Sequence, residues 1–180
     1  MALILNIETS ASVCSACIAQ DGKLIDWREN TEHNSHARVL TLLIEDLAGK
    51  NALKLSRLDA IAVSAGPGSY TGLRIGVSVA KGLCYGLNKP LIAVSTLKAL
   101  AQGILLNHPA ENSVLMPVID AGRQEIYTAL YKTNGGEIWE PAPVIVDSQL
   151  DERLSVFENI YMGGNAVDKG NSLALDPYGN

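Results

Sequence analysis

A glycine-rich turn between a predicted strand and a predicted helix is the first place in this chain to look for phosphate chemistry. The strand is predicted over 60–64, and the turn GPGS at 66–69 opens the helix. Helix N-termini after such turns bind phosphate groups. The phosphate loop of nucleotide hydrolases requires Lys and then Ser or Thr after its last glycine, whereas Leu73 and Arg74 follow Gly72 here. The glycine spacing also departs from the dinucleotide-binding motif. The turn therefore predicts tight packing instead of a phosphate site.

Small residues recur at every fourth position along this predicted helix. Gly72, Gly76, Ala80 and Cys84 therefore share one face. A glycine costs about 1 kcal/mol relative to alanine inside a helix, so two of them on one face need a physical reason. Close approach of another backbone supplies that reason, and the helix is predicted to pack tightly against a neighbour.

The chain has one C-x-x-C pair, Cys14 and Cys17, which is a spacing found in metal and redox centres. The segment is predicted to be a strand, in which residues three apart point to opposite faces. No second pair completes a zinc site. We therefore expect structural cysteines in a reducing compartment.

The composition excludes several classes of function. The chain of 180 residues is 47% hydrophobic and 18% charged, with a net charge of −5 and no dense cluster of Lys and Arg. This predicts a compact folded protein that does not bind nucleic acid by itself, so that any RNA would be held by a partner. No segment has the length of a membrane span, and the N-terminus lacks the basic region of a signal peptide. We expect a cytoplasmic protein.

A faint repeat organises the chain into two halves. Residues 3–28 and 114–140 each predict a three-strand meander with a hairpin turn at Asp-Gly or Asn-Gly. An acidic residue closes the first strand of each copy, Glu8 in one and Asp120 in the other. Repeated units of this kind predict two lobes of like topology.

Helices and strands alternate between the two meanders. A helix predicted over 35–49 has a wide apolar face, and a strand, the glycine-rich helix, a strand and a helix follow it. This order predicts parallel pairing in the inner part of the sheet. We place the first lobe, with the partner-binding helices, at 1–108 and a second, shorter and incomplete lobe at 109–180.

Five motifs give the chain a family resemblance. They are NIETS at 6–10, His36 at the start of the leucine-rich helix, GPGSYTGLRIG at 66–76, AKGL at 80–83 and VST at 94–96. Together they resemble the TsaB (YeaZ) family. The resemblance implies an α/β fold of the actin-like, ribonuclease-H-like type, duplicated into two lobes whose mixed sheets open with three-strand meanders.

The resemblance also implies a role in making threonylcarbamoyladenosine in tRNA. In that pathway one enzyme makes threonylcarbamoyl-adenylate, and the metal-containing paralogue TsaD transfers the group to the adenosine beside the anticodon. A TsaB-like chain is implied to be a scaffold without catalysis or a cofactor of its own, while partner proteins use ATP and Mg²⁺. Its implied partners are a TsaD-type paralogue, a TsaE-type ATPase and, without TsaD, a second copy of itself. It would meet tRNA only through these partners.

The histidines do not match the metal site of TsaD. That site implies an H-x-x-x-H pair on a helix, whereas the three histidines here are His33, His36 and His108. We therefore predict no metal site. The alternative of an M22-type metallopeptidase, after the glycopeptidase label of the wider family, lacks its ligands. The resemblance assigns no role to His36.

Actin-like proteins usually bind ATP, with a carboxylate and a hydroxyl-bearing turn after the first strand of each lobe. The residues in these places, which we interpret as a vestigial nucleotide site, are Glu8, Thr9, Ser10, Asp120 and Gly122. The first turn has no glycine to let backbone amides approach phosphate, and Arg123 stands where a small hydroxyl residue would help. An actin-like nucleotide-binding phosphotransferase is the other alternative function.

By analogy with the family, the two helices of the first lobe would pair with the equivalent helices of TsaD in a four-helix bundle. The predicted interface comprises Val39, Leu43, Leu47, Gly72, Arg74, Gly76, Val77, Ala80, Lys81 and Leu83. Small residues would allow close approach, large apolar residues would form the seam, and the two cations would lie on a polar rim. On this hypothesis, Gly76→Leu leaves the monomer folded and abolishes TsaD binding.

Overall fold

The structure, a computed structural model, describes residues 1–32, 35–107 and 113–170. These residues divide into two compact units, Met1–Ser95 and a second unit that begins at Thr96. No helix among them is long and apolar enough to cross a membrane. Two of the three histidines, His33 and His108, lie outside the described residues.

The first unit is a five-stranded mixed sheet with two helices. Its elements are β1 (Leu3–Glu8), β2 (Cys14–Gln20), β3 (Lys23–Asn30), α1 (His36–Lys50), β4 (Ala60–Ser64), α2 (Tyr70–Leu87) and β5 (Leu91–Val94). The strand order is β3-β2-β1-β4-β5. Antiparallel pairing joins β1, β2 and β3, whereas β4 pairs in parallel with both β1 and β5. The predicted meander and the predicted parallel inner strands are both confirmed.

Alternation along the first hairpin places one face of this sheet against α1. Leu5, Ile7 and Ile18 are buried because side chains alternate between the two faces of a strand. The helix contributes Leu40 and Leu47 to the same core. β4 is buried along its whole length, as a central strand of a parallel crossover must be.

The C-x-x-C pair is split between the two faces of β2, as the strand prediction requires. Cys14 is buried in the core and Cys17 is half-buried. Burial raises the pKa of both thiols. Because the thiolate is the form that binds metals and attacks disulfides, this environment opposes both kinds of chemistry.

The second unit repeats the strand order of the first. Its elements are α3 (Thr96–Asn107), β6 (Val114–Gly122), β7 (Glu125–Lys132), β8 (Glu137–Ile145), α4 (Ser148–Leu154), β9 (Ile160–Gly163) and α5 (Val167–Gly170). The order β8-β7-β6-β9 matches β3-β2-β1-β4, with antiparallel pairs in the meander and a parallel pair between its first strand and the last one. This duplication of a mixed α/β sheet is the fold class predicted from the sequence.

The division between the units differs from the predicted boundary at residue 108. Helix α3, which we had assigned to the first lobe, packs on β6 and β9 instead. Leu97, Ala101 and Ile104 enter one apolar cluster with Leu115 and Ile119 of β6. The helix therefore belongs to the second unit, and the division falls between Ser95 and Thr96.

Candidate partner-binding surface

The turn that follows β1 is fixed by the chain's own residues. The Glu8 carboxylate accepts a hydrogen bond from the Ser10 amide at 2.6 Å and a second from the Ser64 hydroxyl at the end of β4. The Ser10 carbonyl oxygen accepts from the Ser69 amide at 2.7 Å. Ser69 also caps α2, since its hydroxyl accepts from a backbone amide of the first helical turn. The two polar turns of this unit are therefore bonded to each other.

His36 holds the far end of the same turn. Its Nε2 donates to the Ala11 carbonyl oxygen at 2.9 Å, and the side chain is buried. Without this donor, the half-buried Ala11 carbonyl would lose its hydrogen-bond partner inside the unit. The structure thus gives His36 a structural role that neither spacing nor resemblance assigned.

The stripe of small residues on α2 faces this turn. A Cβ built on Gly72 would overlap the Thr9 carbonyl oxygen, and one on Gly76 would overlap the Thr9 hydroxyl. Thr9 is fully buried, and its hydroxyl has no hydrogen-bond partner within the described part of the chain. The close approach predicted from the glycines is therefore real, but the neighbour is the first strand's own turn.

The structure divides the predicted interface residues into two sets. Five of them are buried inside the first unit and cannot contact a partner: Val39, Leu47, Gly72, Gly76 and Ala80. Five others are half-buried or exposed: Leu43, Val77, Leu83, Arg74 and Lys81. The expectation that Gly76→Leu would leave the monomer folded is wrong, because no space exists for a side chain beside Thr9.

A groove runs between the two helices on the surface of the first unit. Both helices connect parallel strands, so they lie side by side and run in the same direction. One part of the groove encloses about 490 Å³ and is lined by Thr41, Ile44, Glu45, Ala48, Gly49, Ala52, Leu53, Lys54, Leu55, Val79 and Leu83. A second part of about 440 Å³ is lined by Ala37, Thr71, Arg74, Ile75, Ser78 and Val79. We call these residues together the α1–α2 groove.

Sequence reasoning missed most of the apolar residues of this groove. Ile75, Val79 and Leu83 recur every fourth residue on α2, so they form one row along the helix. The row flanks the stripe of small residues, and that spacing was available in the sequence. Of the three, only Leu83 is among the predicted interface residues, because that prediction was centred on the glycines of the neighbouring helix face.

Two further glycines of α2 have no packing reason inside the unit. Gly82 and Gly86 are exposed, and a Cβ on either would meet no atom within 4 Å. Each costs the helix about 1 kcal/mol relative to alanine. They are one helical turn apart, and each follows a groove residue by three positions, Val79 and Leu83, so helical spacing places them beside the groove. Packing among the described residues therefore does not account for the small size of either glycine.

Aromatic and cationic side chains stand on the outer surface of α2. Tyr70 is 74% exposed and Tyr85 is 92% exposed. The Arg74 guanidinium lies 5.4 Å from the centre of the Tyr70 ring, and Lys81 is exposed on the same side. Tyrosine and arginine are the residues most enriched among energetic hot spots of protein interfaces. The helix therefore presents the composition of a binding surface.

In the second unit, the residues of the predicted turn, Asp120 and Gly122, lie at the end of β6 and are bonded within the unit. The Asp120 carboxylate accepts from the Gly122 amide and from the Lys169 ammonium, both at 2.6 Å. These contacts, that of Lys169 first, hold the pKa of Asp120 below its usual range. Arg123 is exposed in a left-handed conformation at φ 46°. No three His, Cys, Asp or Glu side chains converge into a candidate metal site within the described ranges.

Comparison with known proteins connects this fold to a family. Residues 30–173 match the family model described as TsaD, tRNA N6-adenosine threonylcarbamoyltransferase. The tRNA threonylcarbamoyladenosine biosynthesis protein TsaB of Haemophilus influenzae is 37% identical over 124 residues, which cover 69% of this chain and 51% of that protein. The TsaB protein of Buchnera aphidicola is 30% identical over 171 residues, covering 92% and 76%. The chain thus spans about half the length of the first of these relatives.

Solved structures give the same result. A Pseudomonas aeruginosa protein described as similar to peptidase YeaZ superposes with a TM-score of 0.84 at 27% identity, over 99% of this chain and 82% of that one. An inorganic polyphosphate/ATP-glucomannokinase from Arthrobacter superposes with a TM-score of 0.52 at 11% identity, over 99% and 90%. The second likeness shows the actin-like fold alone. With the motifs, the duplicated sheet and these relatives in agreement, the chain belongs to the TsaB (YeaZ) family of tRNA threonylcarbamoyladenosine biosynthesis.

Proposed function

We propose that this chain is a non-catalytic subunit that binds a TsaD-type enzyme through the α1–α2 groove. Bound there, it supports transfer of the threonylcarbamoyl group to the adenosine beside the tRNA anticodon in the cytoplasm. A TsaE-type ATPase and, without the enzyme, a second copy of the chain are its other proposed partners. ATP and Mg²⁺ would be used by partner proteins. The net charge of −5 supports indirect contact with tRNA.

The α1–α2 groove is the observation that carries this proposal. It joins an apolar row, open space and two helical glycines that nothing inside the unit explains. A helix of a partner fits this combination, since its side chains can enter the groove while its backbone approaches the glycines. A paralogue offers such a helix, because a protein of the same fold carries the same helix pair.

Covering the groove would remove apolar surface from water. Ile75, Val79 and Leu83 are half-buried in the free unit, so a partner can still cover part of each. Complete burial of such a side chain contributes about 1.5–3 kcal/mol. Association costs offset part of that gain. Added contacts from the exposed Tyr70 and Tyr85 would then decide the affinity.

The charges around the groove favour an acidic partner surface opposite α2. Arg74 and Lys81 are both exposed on this helix, which has no acidic residue along its length. Glu45 lies on the α1 side of the groove. Rim charges of this kind steer encounter and fix orientation more than they raise affinity. We therefore expect salt to slow association with the enzyme more than it speeds dissociation.

Two matched substitutions test the surface without disturbing the fold. Gly82 in α2 and Gly103 in α3 are both helical glycines whose Cβ would meet no atom within 4 Å. The Cβ of a leucine would therefore meet open space at both positions, and leucine has a higher helix propensity than glycine. We expect Gly82→Leu to weaken binding of the TsaD-type enzyme by about tenfold or more, which is about 1.4 kcal/mol. Gly103→Leu should bind like the unaltered chain.

Isothermal titration calorimetry with the purified enzyme measures both affinities. Circular dichroism establishes that each variant is folded before titration. Equal affinity of Gly82→Leu and the unaltered chain would contradict the assignment of the surface. Equal weakening by both substitutions would contradict it too, because the loss would then not depend on the groove.

A further inference from the structure

In both units, the glycine loop that follows the parallel neighbour strand packs against the first strand or against the turn after it. In the first unit, the loop after β4 brings Gly68 against the Ser10 carbonyl oxygen. In the second unit, the loop after β9 brings Gly164 against the Val118 carbonyl oxygen. The next residue, Asn165, accepts from the Asp120 amide at 2.9 Å through its side-chain oxygen. The loop thus packs near the end of the first strand in both halves, although Gly68 meets the turn itself and Gly164 meets Val118 inside β6.

These turns are where the actin-like fold would place phosphate and a divalent cation. Glycines at such positions serve phosphate by letting it approach backbone amides. Here the space beside Gly68, Gly72 and Gly164 is already occupied by carbonyl oxygens of the chain itself. Thr9 and Ser10 are 0% and 3% exposed, so a phosphate group cannot reach them. The residues of the first turn do not fit a nucleotide.

The second turn is closed by a charge. The Lys169 ammonium donates to the Asp120 carboxylate at 2.6 Å and to the Glu125 carbonyl oxygen at 3.3 Å. A carboxylate and a carbonyl oxygen are the hard donors that Mg²⁺ prefers. A divalent cation at Asp120 would have to displace the ammonium or accept its repulsion. The Asp120 Oδ1 and the Glu125 carbonyl oxygen are therefore already bonded to an ammonium group.

We propose that Lys169 is a built-in cation that takes the place of a divalent metal at Asp120, so that this chain does not recruit a metal–phosphate group there. In the first unit, backbone atoms occupy the turn and exclude a metal–phosphate group in the same way. Nucleotide chemistry of the actin-like kind then has no place in either turn. This inference is independent of the proposed binding surface, which lies on the helices of the first unit.

Reversing the charge tests the proposal through a gain of metal binding. Lys169→Glu places a second carboxylate opposite Asp120, which creates an oxygen site with two charged ligands. Mn²⁺ is the probe, because it prefers the same oxygen ligands as Mg²⁺ and its free concentration is measured by electron paramagnetic resonance. We expect Lys169→Glu to bind Mn²⁺ about tenfold more tightly than the unaltered chain. Lys23→Glu, an exposed change in the first unit, is the matched control.

Each result decides the matter. The proposal is supported if Lys169→Glu binds Mn²⁺ more tightly and if adding Asp120→Asn to that variant removes the gain in affinity. It is also supported if Lys23→Glu shows no gain in affinity for Mn²⁺. Binding of Mn²⁺ by the unaltered chain that is lost in Asp120→Asn would overturn it, because the ammonium would then not block the carboxylate. If Lys169→Glu does not fold, Lys169→Met replaces it: Mn²⁺ must raise the Tm of that variant above its effect on the unaltered chain. Equal effects would overturn the proposal.

Discussion

Alanine substitutions at three glycines of α2 test the packing of the first unit and separate it from the binding surface. At Gly82 the new Cβ meets open space, so only helix propensity changes. The expected gain is about 1 kcal/mol in the free energy of unfolding. For a chain of this size that gain raises the Tm by about 2–4 °C.

Alanine at Gly72 is expected to lower the free energy of unfolding instead of raising it. Its Cβ would overlap the carbonyl oxygen of Thr9, which is backbone at the end of a central strand and cannot rotate away. Overpacking of a core costs about 1–3 kcal/mol, and a backbone contact belongs at the upper end of that range. After the propensity gain of about 1 kcal/mol, the net loss is about 2 kcal/mol. Gly76→Ala should fall between the two, since it meets the Thr9 side chain instead.

Urea unfolding followed by circular dichroism measures all three variants against the unaltered chain. The predicted order of stability is Gly82→Ala, unaltered chain, Gly76→Ala and Gly72→Ala. A Gly72→Ala variant as stable as Gly82→Ala would refute the assignment of the small-residue stripe to the chain's own turn. The stripe would then be free for a partner, as the sequence first indicated.

Two further predictions concern His36 and the ion pairs of β3. His36→Ala should lower the free energy of unfolding by about 1–3 kcal/mol, because a buried side chain is removed and the half-buried Ala11 carbonyl loses its donor. An unchanged urea midpoint would contradict this. Arg28 bonds to Asp26 and lowers its pKa from 3.8 to about 2, so the stabilisation is complete above pH 3.8 and is lost as the pH falls towards 2. Arg28→Gln should therefore lose less stability between pH 5 and pH 2 in acid unfolding, and identical acid profiles would refute the pairing.

Local signals were enough to predict most of the architecture. The meanders at 3–28 and 114–140 follow from alternating apolar residues and hairpin turns, and both are present. Glu8 closes its first strand as the repeat predicted, whereas β6 continues for two residues beyond Asp120. The duplication was therefore visible because each half carries its own strand and turn pattern.

The face of α2 that meets a partner could not be predicted, for a physical reason. Gly72 and Gly76 lie on one side of the helix, and Gly82 and Gly86 lie on another. Spacing shows that each pair permits close approach, but it does not show what approaches. The answer for the first pair depends on Thr9, which is far away in the sequence and is brought there by parallel pairing of β1 with β4.

Two other features depend on contacts between distant residues. The membership of α3 in the second unit is decided by its packing on β6 and β9, which helical periodicity alone does not specify. The bond between Lys169 and Asp120 joins residues 49 positions apart. A partial signal existed in the glycines at 163 and 164, which repeat the glycine turn of the first half. That parallel predicts a loop, but not the charge that completes it.

A reconstituted tRNA modification assay tests the central claim most directly. Threonylcarbamoyl-adenylate synthase, the TsaD-type and TsaE-type proteins, ATP and unmodified tRNA are combined with or without this chain, and threonylcarbamoyladenosine is quantified by mass spectrometry. We predict product only when the chain is present, none when the chain replaces the TsaD-type enzyme, and a reduced yield with Gly82→Leu but not with Gly103→Leu. Equal product with and without the chain would contradict its role as a required non-catalytic subunit.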